Sequence, residues 1–303
     1  MTKTKEKERR EIDYTMNKEH LFLNLSGHLM NLEVPKVMGI LNTTPDSFYA
    51  GSRFSEKEEI KKRVVEMIND GVDIIDVGGC STRPGARIIA PDEEYDRIAP
   101  ALDIIRTVAP EIPVSVDTVY SSVARKSVEI WGVKIINDIS GGSLDNEMWE
   151  TVADLKVPYV LTHMRGTPET MNLETSYADV TADVITDLSK KVASLHLMGV
   201  NDVIIDPGFG FSKTVAQNFA ILDELSEFCK MDLPVLVGLS RKSMIWKTLE
   251  INPEDCLDGT IALEAIALEK GADILRVHDV KEARRIVKLW SALKGKTLTD
   301  ISN

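Results

Sequence analysis

The chain has 303 residues, 43% of them hydrophobic, and a formal net charge of −12 at pH 7. This hydrophobic fraction is typical of a globular protein with a substantial core. Lysine and arginine form no basic stripe, which argues against a nucleic-acid partner. No apolar run approaches the ~18 residues that a transmembrane helix needs. We therefore expect a globular protein that binds neither nucleic acid nor a membrane.

Three cysteines, Cys80, Cys229 and Cys256, stand far apart and form no CxxC pair. Such a set favours a reducing compartment over a disulfide framework or a zinc knuckle. The first residues mix Lys, Glu and Arg, and no signal-peptide hydrophobic stretch follows them. We expect residues 1–19 to form a charged, disordered tail, residues 20–303 to form one domain, and the protein to be cytoplasmic.

A short hairpin and a long alternation of strands and helices follow the tail. The hairpin is predicted at 21–25 and 28–32, on either side of Ser26-Gly27. The strands that follow are predicted at 37–41, the start of 73–85, 114–117, 134–138, 159–162, 203–206, 235–238 and 273–277. The helices are predicted from a cap at Ser55 to an end at Gly71, and at 93–108, 121–130, 146–155, 179–198, 216–228, 257–269 and 281–293.

Eight strands alternating with eight helices, without a break in composition, indicate a single (β/α)8 TIM barrel with a short N-terminal hairpin. The usual size of such a barrel, about 250 residues, matches the chain that follows the tail and hairpin. A doubly wound open sheet is the alternative. It normally has fewer strands and often a glycine-rich first turn, so the barrel is favoured.

Polar groups follow the predicted strands one after another. In a (β/α)8 barrel the active site is built from the carboxyl ends of the strands and the loops after them. Any one Asp or Asn there could instead cap the next helix. Taken together, the groups converge on one rim and favour a site. They are Asn42, the 78–83 loop, Asp117, Asn137, His163, Asp206, Ser240, Arg241, Lys242, Arg276 and His278.

These groups divide into two chemical sets. One set suits a flat, neutral heterocycle, because a carboxylate accepts two parallel bonds from an amino-pyrimidinone edge and a lysine donates to a ring carbonyl. It consists of Asp117, Asn137, Asp206 and Lys242. The other set suits an anion, and a hard cation bridging phosphate oxygens could bind beside it. It consists of Thr82, Arg83, Arg276 and His278, with Asn42 as the cation ligand. The sequence therefore suggests a planar base attached to a phosphate or diphosphate.

Several familiar motifs are incomplete. The segment 208–214 looks like a P-loop, but Ser212 stands where a glycine must precede the lysine. The segment 238–242 lacks the second glycine of a nucleophile elbow. His163 and His278 have no third His or Cys in a position to complete a zinc site. No base can be placed beside Cys80, which argues against a nucleophilic role.

Seven sequence blocks resemble the signatures of the dihydropteroate synthases, the pterin-binding barrels of folate synthesis. They occur in the family's order, and the resemblance extends over about residues 20–290. The blocks are 37–48, 73–85, 115–118, 136–139, 206–211, 240–243 and 276–279.

The resemblance implies an enzyme that joins p-aminobenzoate to 6-hydroxymethyl-7,8-dihydropterin diphosphate, giving dihydropteroate and pyrophosphate by an SN1-like substitution. It also implies a homodimer, Mg²⁺ and inhibition by sulfonamides. Carried over by position, the pterin ligands are Asp117, Asn137, Asp206 and Lys242. The diphosphate ligands are Thr82, Arg83, Arg276 and His278, and Asn42 ligates Mg²⁺. The p-aminobenzoate site is framed by Ser240, Phe211 and the loops 43–48 and 80–83.

The chain departs from the family pattern in two loops and one block. Cys80 stands where the family usually has Glu, and Ala50 stands where it often has a second Asp in the first loop. Met244 and Trp246 replace the Phe and Gly that are common in the family. The lost carboxylates leave open a paralogue that binds pterin without turnover. A methyltetrahydrofolate-binding methyltransferase is the other alternative. It would not need the groups of 240–243 and 276–278 together, so these argue against it.

Overall fold

The computed structural model describes residues 21–44, 53–80 and 88–296. The predicted tail, residues 1–19, lies outside these ranges, so the division into tail and domain stays a prediction. The described part begins with an antiparallel hairpin of β1 (Phe22–Leu25) and β2 (His28–Asn31). Ser26 and Gly27 both have positive φ, 56° and 92°, as a two-residue hairpin turn requires. The predicted hairpin is confirmed.

Eight parallel strands form the main sheet. They are β3 (Lys36–Asn42), β4 (Ile74–Gly78), β5 (Val114–Asp117), β6 (Ile135–Asp138), β7 (Tyr159–Thr162), β8 (Val203–Asp206), β9 (Leu236–Val237) and β10 (Ile274–Val277). Their order is β8-β7-β6-β5-β4-β3-β10-β9. A parallel bridge between Ile205 and Val235 joins the two edges of the sheet. The sheet therefore closes, which confirms the barrel and excludes the open doubly wound sheet.

Helices surround the barrel. They are α1 (Arg53–Asn69), α2 (Pro91–Val108), α3 (Ser121–Trp131), α4 (Met148–Leu155), α5 (Val180–Leu197), α6 (Val215–Asp223), α7 (Leu225–Phe228), α8 (Ser243–Leu249), α9 (Leu257–Glu269) and α10 (Val280–Leu293). In the part of the chain that the structure describes, no helix is long and apolar enough to cross a membrane.

Two helix predictions needed correction, and one helix was not predicted. Ser55 is not a cap, because α1 already begins at Arg53. The helix predicted at 216–228 is broken at Glu224 into α6 and α7, which brings both Leu225 and Phe228 fully into the core. The unpredicted α8 follows directly after Lys242, whose extended backbone forms the N-cap position.

The barrel interior has an apolar layer at the amino ends of the strands. It contains Met38, Ile74, Ile135, Val160, Ile204, Leu236 and Ile274. Leu23, Leu25 and Leu32 of the hairpin segment cover this layer from below. Alternate residues of a strand face the same side of a sheet, so the residues two positions further along also face inward. On five of these strands the next inward residues, Asp76, Asn137, Thr162, Asp206 and Arg276, are polar. The amino end of the barrel is thus apolar and covered by the hairpin segment, and the polar layer lies above it, toward the carboxyl ends of the strands.

Candidate active site

Arg276 lies at the centre of the polar layer. Its Nε donates to Asp76 Oδ2 at 2.7 Å, and its Nη2 donates to Asp117 Oδ2 at 2.6 Å. Asn137 Nδ2 also donates to Asp76 Oδ2, at 3.1 Å. One guanidinium therefore bridges carboxylates from two neighbouring strands, and charge-assisted bonds of this kind are among the strongest in proteins.

Asp76 was not predicted as a site residue. Its side chain is fully buried, and its Oδ1 has no hydrogen-bond partner among the described residues. A buried carboxylate oxygen without a partner is costly, and such costs are concentrated at functional sites. The available signal was a charge at an inward position of the apolar run Ile74-Ile75-Asp76-Val77.

Asp117, Asn137 and Asp206 are positioned by strands and do not cap helices. The N-cap residue of α3 is Tyr120, and that of α4 is Glu147. Asp206 Oδ1 accepts a bond from the backbone N–H of Gly208 at 2.8 Å, within the turn after β8. The helix-capping alternative is therefore wrong for Asp117 and Asn137, and both belong to the polar layer.

The buried charges of the polar layer shift the pKa values of two groups, Asp117 and Lys242, to near neutral pH. Burial raises the pKa of Asp117 to about 7 against the opposing charge of Arg276, and Asp76 raises it further. Burial lowers the pKa of Lys242 to about 8, although the carboxylate of Asp206 opposes that shift. Burial also raises the pKa of Asp206, with the Gly208 bond and Lys242 acting against it. Groups with pKa values near neutrality can exchange protons with a ligand at low cost, which is typical of functional sites.

Lys242 enters the barrel through a strained turn. Arg241 before it has φ 57° and forms a paired contact with Asp279, with bonds of 3.1 and 2.8 Å. Lys242 Nζ donates to the Phe209 carbonyl at 2.6 Å and lies 4.3 Å from the centre of the Phe211 ring. The turn therefore separates two adjacent cations, so that only Lys242 reaches the polar layer.

Ser240 and His278 form a pair at the ends of β9 and β10. The backbone N–H of His278 donates to Ser240 Oγ at 3.2 Å, and Oγ lies 3.0 Å from His278 Nδ1. Burial lowers the pKa of His278 to about 4, and Arg276 lowers it further, so the imidazole is neutral at neutral pH. If the hydroxyl donates to Nδ1, the ring proton is on Nε2, which can donate to an anion.

Asn42 lies beside Asp117 at the rim. A Cβ built on Gly78 would stand 3.5 Å both from Asn42 Oδ1 and from Asp117 Cβ, so these two side chains flank Gly78. Over the described residues, no group of three or more His, Cys, Asp or Glu is arranged to hold a metal. A single amide oxygen suits Mg²⁺, which usually keeps several waters and completes its coordination with substrate phosphates.

Phe211 belongs to an apolar wall near the rim. It is buried in a cluster with Val119, Ile139, Met164 and Met171. Such a wall can accept one face of an aromatic ring. By contrast, Met244 and Trp246, which differ from the family pattern, pack in the main core. The presence of Met and Trp at these two positions therefore affects how α8 packs on the core and does not change the groups of the polar layer.

Cys80 lies at the start of a loop of which 81–87 fall outside the described residues. The predicted ligands Thr82 and Arg83 therefore lie outside the described residues. Ala50 also lies outside them, in the segment 45–52. Burial raises the pKa of the Cys80 thiol, and nearby Glu94 and Asp117 raise it further. The thiol form is favoured, which agrees with the prediction that Cys80 is a poor nucleophile.

Comparisons with known proteins agree with this geometry. Residues 38–278 match the family described as "Pterin binding enzyme". Dihydropteroate synthase of Escherichia coli K12 is 42% identical over 273 residues, covering 88% of this chain and 96% of that protein. Xanthomonas albilineans dihydropteroate synthase, solved with 4-aminobenzoic acid, superposes with a TM-score of 0.83 at 35% identity, covering 91% of this chain and 99% of that one. The same enzyme with 7,8-dihydropteroate gives a TM-score of 0.80 at 34% identity, covering 91% and 100%.

A closed barrel with a buried polar layer at the carboxyl ends of its strands defines an enzyme of the TIM-barrel class. The chain belongs to the dihydropteroate synthase group of the pterin-binding enzymes. It is a transferase of folate synthesis, and the methyltransferase alternative is not supported.

Proposed function

We propose that the polar layer binds the pterin of 6-hydroxymethyl-7,8-dihydropterin diphosphate and that the rim catalyses its condensation with p-aminobenzoate. The observation that carries the proposal is the Arg276 bridge between Asp76 and Asp117. The bridge joins complementary charges inside a barrel, within reach of the amide of Asn137. A flat ring with donors on one edge and a diphosphate on its side arm matches both kinds of group.

The pterin-binding roles follow from hydrogen-bond capacity. The carboxylates of Asp117 and Asp206 accept N–H bonds from the amino-pyrimidinone ring, and Asn137 offers both a donor and an acceptor. Lys242, held by the Phe209 carbonyl, donates to a ring acceptor. Asp76 Oδ1, which accepts no bond from the described residues, supplies a further acceptor to the same ring or to a water beside it.

The diphosphate lies toward the rim in this proposal. Arg276 and the Nε2–H of His278 face its oxygens, and Thr82 and Arg83 are proposed to reach it from their loop. Asn42 would hold Mg²⁺ together with diphosphate oxygens, and the ion would neutralise part of the leaving group's charge when bound. Positive groups aimed at charge that develops during bond cleavage lower the barrier.

Substitution proceeds in two steps. The bond between the methylene carbon and the diphosphate oxygen breaks first, and its electron pair leaves with the diphosphate. The electron-rich dihydropterin stabilises the resulting cation, and the carboxylates of Asp117 and Asp206 favour it electrostatically. The amine of p-aminobenzoate, placed between Phe211 and Ser240, then attacks the methylene and loses a proton. Closure of the loops 43–48 and 80–83 would exclude water from the cation.

A pyrophosphate-release assay on the full chain tests this function. We expect release only when both substrates and Mg²⁺ are present, and competitive inhibition by a sulfonamide against p-aminobenzoate. Omission of either substrate, and chelation of the metal, are the controls. Pterin binding by calorimetry without any release would instead establish the non-catalytic paralogue.

We also propose that the enzyme is a homodimer, formed through α9 and α10. Leu289 and Leu293 lie one turn apart on α10 and are 75% and 76% exposed, and Ile266 of α9 is 42% exposed. The two helices pack against each other, and exposed apolar side chains grouped on adjacent helices commonly mark an interface between proteins. Light scattering should give a dimer, and Leu289→Lys should produce a monomer. A wild-type monomer would overturn the proposal.

A further inference from the structure

Lys213 is a buried cation that the proposed mechanism does not use. It lies in the segment 208–214, which resembles a P-loop without meeting its pattern. Only 9% of Lys213 is exposed. A buried ammonium group is retained only when its hydrogen bonds compensate for lost hydration.

The ammonium group of Lys213 has an acceptor for each of its protons. Nζ lies 3.1 Å from the Gly208 carbonyl, 3.1 Å from the Phe211 carbonyl and 3.0 Å from His163 Nδ1. A longer contact of 3.4 Å reaches the His163 carbonyl. Burial and the charge of Lys213 lower the pKa of His163 to about 2, so its ring is neutral and accepts through Nδ1. All three N–H donors are therefore used.

These bonds fold the 207–212 loop around Lys213 and tie it to the end of β7. Gly208 has φ 74°, and a Cβ there would stand 2.0 Å from the His163 carbonyl, so the loop lies directly against β7. Gly210 has φ 80°, and a Cβ there would stand 2.8 Å from Cδ of Lys242. The loop is thus packed between two strand ends, with Lys213 bonded at its base.

The bonded carbonyls bracket the part of the loop that faces the site. Gly208 and Phe211, whose carbonyls Lys213 binds, enclose Phe209, whose carbonyl orients Lys242. The Phe211 carbonyl belongs to the residue whose ring lies against Lys242. Lys242 has a separate anchor at the N-terminus of α8, whereas the backbone of Phe211 belongs to the loop and only its side chain packs in the apolar wall.

We propose that Lys213, through its bonds to Gly208, Phe211 and His163, is a positioning residue that holds Phe211 in the orientation that p-aminobenzoate requires. This inference rests on the proposed placement of p-aminobenzoate against Phe211. It assigns to Lys213 an effect on the second substrate that is larger than its effect on pterin, because the pterin ligands of β5, β6 and β8 are fixed by strands.

The charge state of Lys213 gives the role a pH dependence. Burial lowers the pKa of Lys213 to about 7; Asp206 and Asp187 oppose the shift, whereas Lys242 and Arg165 add to it. The other groups facing this contact are His163 and Lys191. As pH rises, a neutral amine keeps only two N–H donors for the three acceptors on Gly208, Phe211 and His163, so one of the bonds between the loop, Lys213 and the end of β7 is lost.

Steady-state kinetics on the full chain with Lys213→Met, Lys213→Arg and the control Lys191→Met test the role. Lys191 is a nearby cation that pairs only with Asp187 among the ion pairs of the described residues. We expect Lys213→Met to raise the KM for p-aminobenzoate about tenfold or more and the KM for the pterin diphosphate less than threefold, and Lys191→Met to change neither. Lys213→Arg should restore part of the affinity. Circular dichroism and thermal unfolding establish that each variant is folded.

A second measurement covers the case in which Lys213→Met fails to fold. Between pH 6.5 and 8.5 the wild-type KM for p-aminobenzoate should rise several-fold, and this rise should be reduced in Lys213→Arg, since a guanidinium keeps its charge. Asp117 and Lys242 titrate in the same range, but both are present in the wild type and in Lys213→Arg. The difference between the two pH profiles therefore reports on residue 213. Equal changes in both KM values, or identical pH profiles, would overturn the inference. An inactive wild type would overturn the proposed function itself, whereas an active wild type with an unaffected Lys213→Met would overturn only the role of Lys213.

Discussion

The two ends of the barrel use the same kinds of charged residue for different purposes. At the amino end, Arg284 of α10 donates to the Gly71 carbonyl and to the carboxylate of Asp73, which also accepts the backbone N–H of Val37. At the carboxyl end, Arg276 donates to Asp76 and to Asp117, both through side-chain oxygens.

The bonding partners explain the difference. At the amino end the arginine and the aspartate each bond to a backbone group, so this contact joins α10, the turn after α1 and the start of β3. At the carboxyl end the bonds of Arg276 connect only side chains. Asp76 Oδ1 has no partner among the described residues, and the pKa of Asp117 is about 7. Bonds between side chains can be exchanged for bonds to a ligand without unfolding the barrel. We infer that one end is built for stability and the other for binding.

The largest expected effect comes from removing the two arginines separately. Arg276→Ala should lower kcat/KM by about 10²-fold or more, since it removes a charge that stabilises the leaving group. Arg284→Ala, its matched control, should lower the free energy of unfolding by roughly 3 kcal/mol, the scale of a broken buried ion pair, with kcat/KM of the folded enzyme within about threefold. Urea unfolding and kinetics on both variants measure this. Near-normal turnover in Arg276→Ala would contradict the division between the two ends.

The aspartates give a second, smaller contrast. Asp76→Asn should lower kcat/KM for the pterin diphosphate roughly 10- to 100-fold, because Arg276 loses one of its two carboxylates and the pterin loses a candidate acceptor. Asp73→Asn should instead lower stability and leave kcat/KM nearly unchanged. An activity loss in Asp73→Asn as large as that in Asp76→Asn would show that both ends serve catalysis equally.

Most of the barrel could be predicted from the sequence, because each parallel strand is a short apolar run with a polar residue at its end. This pattern located Asp117, Asn137 and Asp206. It could not identify Asp76, which lies within a run, or its pairing with Arg276, 200 positions along the chain. Which inward residues meet depends on the stagger between strands in a closed barrel, and a local pattern does not contain that information.

Lys213 shows a second limit of the sequence. Motif comparison does not identify its segment as a P-loop and so gives the lysine no role. The function of the lysine depends on a loop that folds back on itself and on His163, a residue 50 positions away. The roles proposed for Thr82 and Arg83, which lie outside the described residues, remain predictions from resemblance.

The pH dependence of activity separates the two ends in the unmodified enzyme. With a pKa of about 7, Asp117 loses its acceptor charge as pH falls, so kcat/KM for the pterin diphosphate should drop about tenfold for each pH unit well below 7. Stability should respond in the opposite direction. A folded pKa above the unfolded value of 3.8 means that the contribution of Asp117 to stability is present below pH 3.8 and is lost as pH rises through about 7. Activity should therefore fall between pH 7 and 5.5 without unfolding, as monitored by circular dichroism. If activity and the circular dichroism signal were lost together as pH falls, the loss of kcat/KM at low pH would result from unfolding.

Cys80 gives the smallest expected effect and the sharpest test of covalent catalysis at the rim. Since burial, Glu94 and Asp117 all favour its thiol form, Cys80→Ser should keep kcat/KM within about threefold. A loss greater than tenfold would indicate a thiolate role that the proposed substitution does not contain. Cys80→Glu, which introduces the Glu expected from the family resemblance, adds a carboxylate near Asp117. Like charges disfavour ionisation, so the acid limb of kcat/KM should move to higher pH in this variant, while Cys80→Ser leaves it unchanged.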